Sequence, residues 1–191
     1  MVDPVRVRIG REPRIRQGDV YRNVAFLESA VETEGIVQVA RIVFPHVVVL
    51  TQDCDLEQDF RTRYGRKNKP SNQDKRLISV LVAPLYNVEH VYNGEHLSEL
   101  GIEMCEVPRR GQTGNRLLQN KRPRYHYMSF PKGVPLADSI VDFKHYFSVS
   151  VEYLKGERQG DFVCSIAPIY REDLGQRFAS FMSRIGVPES R

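Results

Sequence analysis

The sequence predicts a mainly β fold: a small barrel decorated by a few helical turns and closed by one C-terminal helix. Short apolar runs separated by turn residues recur through the 191 residues. One of them, Val47-Val-Val-Leu50, is unbroken and rich in β-branched residues, as a strand buried on both faces should be. Helical spacing is clear only near the end, at Leu174, Phe178, Phe181, Met182 and Ile185. This length suits a single core. The expected layout is a basic arm at 1–16 and one domain at 17–191, with insertions at about 57–76 and 86–124.

The arm is arginine-rich, carries Pro4 and Pro13, and reads as extended with an edge strand at Val5 to Ile9. Gly18 and Asp19 turn the chain into a strand through Tyr21, Val24 and Phe26. Acidic Glu28 to Glu34 reads as a connection. Gly35 then opens a strand with Ile36, Val37, Val39, Ile42 and Val43, which Phe44-Pro45 ends because proline has no donor for a ladder bond. The central strand follows, and its end delivers Gln52, Asp53, Cys54 and Asp55. Arg61 to Arg76 reads as a flexible insertion, and Leu77 to Ala83 as a second apolar strand stopped by Pro84. Tyr86 to Gly101 suggests short helical turns. Pro108 to Arg124, with two glycines and no acid, suggests a mobile loop over a polyanion site. Tyr125 to Phe130, Ser139 to Phe143, Tyr146 to Tyr153 and Phe162 to Ala167 complete the strands. A helix from Arg171 to Ile185 stops at Gly186 and Pro188.

A net charge of +4 conceals segregation. Residues 1–23, 61–76 and 109–124 hold 19 of the 28 basic residues and only four of the 24 acids, Asp3, Glu12, Asp19 and Asp74. Gathered in space, these runs would make a surface for phosphates. No apolar run approaches the roughly 18 residues of a spanning helix, and the start lacks the apolar segment of a signal peptide, so no membrane partner and a cytoplasmic location are expected. Three scattered cysteines, Cys54, Cys105 and Cys164, define neither a disulfide framework nor a zinc pattern, and Cys105 and Cys164 are expected to be buried.

Three landmarks, in order along almost the whole chain, resemble the MazF/PemK family of toxin endoribonucleases. Gly18-Asp-Val-Tyr21 is similar to the family's opening strand. Val47 to Asp53 followed by Ile78 to Tyr86 is similar to its paired apolar strands. Leu136-Ala-Asp-Ser-Ile-Val-Asp-Phe143 resembles its strand leading to the final helix. The resemblance implies an SH3-like barrel, a homodimer, an antitoxin-like or defence-system protein partner, and a toxin-antitoxin or defence setting. Phe44-Pro45 stands where the family carries Arg-Pro, and Tyr86 where it carries a Thr or Ser. The standard ribonuclease site is therefore expected to be altered.

Gln52, Asp53, Cys54 and Asp55 form the densest polar cluster. Cys54 could be a nucleophile oriented by Asp55 or His46, yet flanking carboxylates push a thiol away from the reactive thiolate. The alternative places Cys54 in the core, with both aspartates capping turns. Asp53, Asp55 and Asp59 lack the glycine and terminal glutamate of a calcium loop, and no His-x-x-x-His pair occurs, so neither metal nor cofactor is expected. His90 and His96, beside Glu89 and Glu95, read as solvated residues of a helical turn.

For nucleic acid, Arg61, Arg63, Arg66, Lys67, Arg109, Arg110, Arg116, Lys121, Arg122 and Arg124 would hold phosphates. Tyr125, with Tyr64, Tyr127 and Phe130, would stack on unpaired bases. Metal-independent RNA cleavage would need a base, His126 or His46, and a cation, Arg41 or Arg124. The expected function is polyanion binding, to RNA or DNA, with a degenerate or altered ribonuclease site. A non-catalytic protein-protein interaction module and a metal-independent endoribonuclease are the other readings.

Overall fold

The computed structural model describes residues 3–65, 73–156 and 159–184. Its described strands form one antiparallel sheet: β1 (Val7–Arg8), β2 (Asp19–Thr33), β3 (Ile36–Val49), β4 (Ser79–Asn87), β5 (Tyr125–Met128), β6 (Ser139–Asp142), β7 (Phe147–Ser150) and β8 (Phe162–Ile166). The order is β1-β8-β2-β3-β4-β6-β5, and β7 also pairs with β4. The sheet curls into a barrel-like shape. Val5, just ahead of β1, donates its N–H to Ser129 O, just beyond β5, at 2.8 Å, so the two ends of the strand order meet. The helices are α1 (Asp53–Tyr64), α2 (Val88–Tyr92), α3 (Gln112–Leu118), α4 (Val151–Lys155) and α5 (Pro168–Met182).

The central strand is buried on both faces, as its composition requires. Val48 packs into one cluster with Val20, Phe143 and Leu174, while Val47 and Val49 enter another with Tyr21, Val80 and Leu154. Val47, Val48 and Val49 pair with Pro84, Ala83 and Val82, so the two apolar runs lie side by side. A third cluster, around Tyr86, Val91, Leu117 and Tyr127, joins α2 and α3 to β5. Gly18 starts β2 at φ +79°, and a Cβ there would lie 2.9 Å from the Cβ of Arg171. Only glycine fits that turn against α5.

Several elements differ from expectation. Glu28 to Glu34 is not a connection. β2 runs through Thr33, and Glu34 and Gly35, both at positive φ, make the tight hairpin turn whose twist suits paired strands. Pro45 does not end β3, nor Pro84 β4; both lie inside strands, near the last pair, Val47 with Pro84, after which β3 and β4 part. The expected flexible insertion at Arg61 to Arg76 begins instead as the end of α1, stapled by Arg63 to Asp59 one turn earlier, and its residues 66–72 lie outside the described residues. α3 occupies the supposed mobile loop: a Cβ on Gly114 would lie 2.4 Å from Pro108 O, so this helix packs tightly on the preceding backbone. Val151 to Lys155 is helical, capped by the Ser150 hydroxyl, rather than strand. The closing helix begins at Pro168, whose missing N–H costs nothing in a first turn; Ile185, Gly186 and Pro188 lie outside the described residues. Among the described residues no helix is long and apolar enough to cross a membrane.

Candidate functional site

The site forms where β3 leaves β4. Between Ile42 to His46 of β3 and the α2 region lies a cleft of about 580 Å³, faced by His46, Tyr86, His90, Glu95 and His96. A smaller space of about 180 Å³ is lined by His96, Cys105, Arg124 and Tyr125. A third, of about 410 Å³, is lined by Arg116, Lys121, Arg122, Arg124, Tyr125 and Arg184. His96 borders the first and second spaces, and Arg124 with Tyr125 borders the second and third. The three therefore lie in series, with His96, Arg124 and Tyr125 as shared walls, from a cationic end to a histidine end.

The cationic end is built on a pinned backbone. Arg177 of α5 donates to Arg122 O at 3.1 Å and Tyr125 O at 2.8 Å, tying the start of β5 to the helix. Asn120, at φ +55°, accepts from Tyr127 N at 2.6 Å and donates to Tyr127 O at 3.1 Å, which fixes the return from α3. Arg122 and Arg124 lie over the Tyr125 ring, 5.2 and 4.9 Å from its centroid. Among the described residues no acidic residue lines this cleft.

Arg124 joins it to the histidine end. Its Nε donates to both carboxylate oxygens of Asp142 at 2.8 and 2.9 Å, and its Nη2 adds a further contact. Asp142 is 0% exposed and also accepts from Lys144 N at 3.0 Å, capping the 3-10 turn Phe143–His145. That turn separates β6 from β7, which follow one another along β4, and the break brings His145 to the strand partner Tyr86. The Tyr86 hydroxyl and His145 Nδ1 share a 3.0 Å hydrogen bond. His96 stacks edge-on to Tyr86 at 4.9 Å, and the two imidazole centroids are 6.4 Å apart. Both His96 ring nitrogens are shut off from solvent, with the backbone of His90 the polar group beside them.

Burial lowers the pKa of His96 and of His145, outweighing the opposing pull of Asp142. Burial, aided by Arg22, lowers that of His46. Burial and then Asp142 raise that of the Tyr86 phenol. At neutral pH His46 and His96, which line the cleft, and His145, which lies behind Tyr86 and lines none of the three spaces, are therefore neutral, beside a phenol that keeps its proton.

The expected site residues scatter. His46 lines the histidine cleft. Arg41 does not; it lies on the exposed outer face of the β2–β3 hairpin, because the strand alternation that turns Ile42 inward turns Arg41 outward. His126 is 3% exposed within β5, lines none of the three spaces, and is held neutral by burial and Arg177, its pKa pushed down to about 3. It cannot act as a base on a bound substrate.

Gln52, Asp53, Cys54 and Asp55 open α1 beside a separate cleft against α5. Asp53 is a structural anchor, holding Arg14 at 2.9 Å, Arg171 at 3.2 Å and Gln17 N at 3.3 Å. Cys54 is exposed rather than in the core, and its thiol faces Gln52 Oε1 at 3.6 Å and Asp55 Oδ1 at 3.8 Å, acceptors that do not activate it. Cys105 is exposed too, whereas Cys164 is buried.

Many cations of the basic runs are already paired. Arg63 is locked by Asp59, Glu152 and Leu77 O, so it is not a phosphate ligand. Arg61 pairs with Glu57, and Arg109 with Glu89 while lying over Tyr92. The Tyr125 ring is 8% exposed and flanked by arginines, which leaves little face for a base. Arg110 is exposed. Arg66 and Lys67 lie outside the described residues.

Sequence reasoning missed Asp142, His145 and Arg184, named Tyr86 only as a departure from the family's hydroxyl, and read as solvated His96, which is half-buried and outside any helix. One signal was available: Asp142 interrupts the apolar run Ile140-Val-Asp-Phe143, and a carboxylate there must find a cation. Among the described residues no three His, Cys, Asp or Glu are grouped to hold a metal ion. No protein-family model matches the chain, and no curated protein is found similar to it.

The buried neutral His126 makes a pH prediction. Its folded pKa lies below the ordinary value of 6.5, so the unfolded chain alone takes up this proton as pH falls from about 6.5 towards 3. The stability present above that window is lost within it. Relative to wild type, a His126→Phe variant should therefore gain unfolding free energy on acidification, by up to ~1.4 kcal/mol per pH unit in urea melts. A pH-independent difference would show that His126 titrates normally.

Proposed function

We propose that this protein binds single-stranded nucleic acid along the run of clefts, with Arg116, Lys121, Arg122 and Arg184 holding the phosphate backbone. The observation that carries this reading is the cationic cleft, free of acids among the described residues, which shares Arg124 and Tyr125 with the space beside His96. A cationic cleft beside an aromatic ring suits a flexible polyanion, whose phosphates such a surface can track. The curled antiparallel sheet supports a barrel-like class, and the MazF/PemK-like SH3 barrel with its toxin-antitoxin or defence role is proposed on the sequence resemblance. RNA is the favoured strand on that resemblance.

Binding of a fluorescent single-stranded RNA should weaken steeply with salt. The Arg116→Ala, Arg122→Ala double variant should weaken it further and reduce the salt slope by about 0.7 for each phosphate that is no longer neutralised. Unchanged affinity and slope would remove this reading. Arg124→Ala is a poorer probe, because it strands the buried Asp142 charge.

A second reading rests on His96, which lines the larger cleft, and His145, whose ring lies 6.4 Å from it: metal-independent cleavage of the RNA strand. One imidazole takes the 2′-hydroxyl proton as that oxygen bonds to phosphorus. The bond from phosphorus to the 5′-oxygen breaks, and that oxygen takes a proton from the other imidazole, whose charged form the incoming phosphate favours. The products are a 2′,3′-cyclic phosphate and a 5′-hydroxyl. Labelled RNA incubated in EDTA should yield these ends, with DNA of the same sequence intact and activity lost in His96→Ala and His145→Ala. Cleavage of the DNA, or full activity in either variant, would contradict it.

A further inference from the structure

The outer half of the β2–β3 hairpin is a two-stranded ribbon that no other described strand covers. Beyond Val24 and Phe44 both strands pair only with each other, and Leu27, Val31, Ile36, Val37, Val39 and Val43 are exposed, Val37 by 61% and Leu27 by 59%. Isolated two-stranded ribbons are marginal in water, and contiguous exposed apolar faces mark contact surfaces.

Cross-strand partners share a face. The face turned away from the core therefore carries the rungs Ala25/Val43, Leu27/Arg41, Ala30/Val39 and Glu32/Val37. This face is apolar except for Arg41 towards its base and Glu32 towards its tip, and neither makes an ion pair among the described residues.

The arrangement is self-complementary. In an antiparallel face-to-face packing of two ribbons about a two-fold axis at the Ala30/Val39 rung, Leu27/Arg41 opposes the partner's Glu32/Val37. Arg41 then lies on the same level as the partner's Glu32, one strand over, and symmetry makes the contact twice. We infer that this ribbon face is the contact surface for a second copy of the same chain, with Val39 at the centre and two Arg41–Glu32 pairs at its ends. The choice of a second copy rests on that matched charge pattern; an unrelated partner has no reason to need it. A face this narrow falls below the ~1,200 Å² of a standard interface, so the dimer dissociates on dilution.

Light scattering after size exclusion tests this. The chain has a mass of 22.1 kDa, and at high concentration wild type should have about twice that, falling to the monomer on dilution. Arg41→Glu alone and Glu32→Arg alone should each be monomeric, because each places like charges together. The Arg41→Glu, Glu32→Arg double variant should regain the dimer, and Val39→Asp, which apposes two carboxylates on the axis, should abolish it. All three positions are exposed, so circular dichroism should match wild type. A monomeric wild type at every concentration, or a double variant that stays monomeric while either single variant dimerises, would overturn the inference. So would binding of the ribbon to a different protein with wild type still monomeric.

Discussion

The structure of the site depends on one buried ion pair, Arg124 with Asp142. A carboxylate with no exposure costs several kcal/mol unless a cation and further donors satisfy it, and losing one partner of such a pair costs about 3–5 kcal/mol. Asp142 obtains both, from the Arg124 guanidinium and from Lys144 N. The same carboxylate caps the 3-10 turn that separates β6 from β7 and sets His145 against Tyr86. The same guanidinium borders the cationic cleft. Geometry at one end of the run is thus mechanically tied to charge at the other.

This coupling also sets the electrostatics. Asp142 favours protonation of His96 and His145, while burial opposes it more strongly, so both rings rest neutral. A phosphate drawn in by Arg116, Lys121 and Arg122 would add negative charge beside them and shift that balance towards the imidazolium. On the proposed reading, binding of a strand and protonation of the imidazoles would then be linked. The link needs no moving part, since the backbone around the cleft is pinned by Arg177 and Asn120.

What was legible in the sequence is what local composition dictates. Val47 to Val49 could only be a doubly buried strand, Gly18 could only be a turn, and the spacing of Leu174, Phe178 and Phe181 could only be a helix. The ribbon was hidden because residues 28–34 bury nothing. Cross-strand bonds and the Glu34-Gly35 turn hold it, and neither leaves an apolar period to read. Helix α1 was hidden for a related reason, since Leu56 and Asp59 are its only buried residues. The site was hidden because its parts are far apart in the chain. His96 and His145 meet only after β4 has paired with both β6 and β7, and a search for short motifs cannot see that. The basic runs misled in a complementary way: counting arginines did not separate Arg63, consumed by Asp59 and Glu152, from Arg116 and Arg122 in a cleft free of acids among the described residues.

The most direct measurement is nuclear magnetic resonance of the histidine ring nitrogens during titration with a short single-stranded RNA. If the clefts form one binding run joined by Arg124, the His96 and His145 signals will shift with the same apparent affinity as the backbone amides of Arg116 and Arg122, while buried His126 stays fixed. Amide shifts at Arg116 and Arg122 with both site histidines unmoved would contradict that connection.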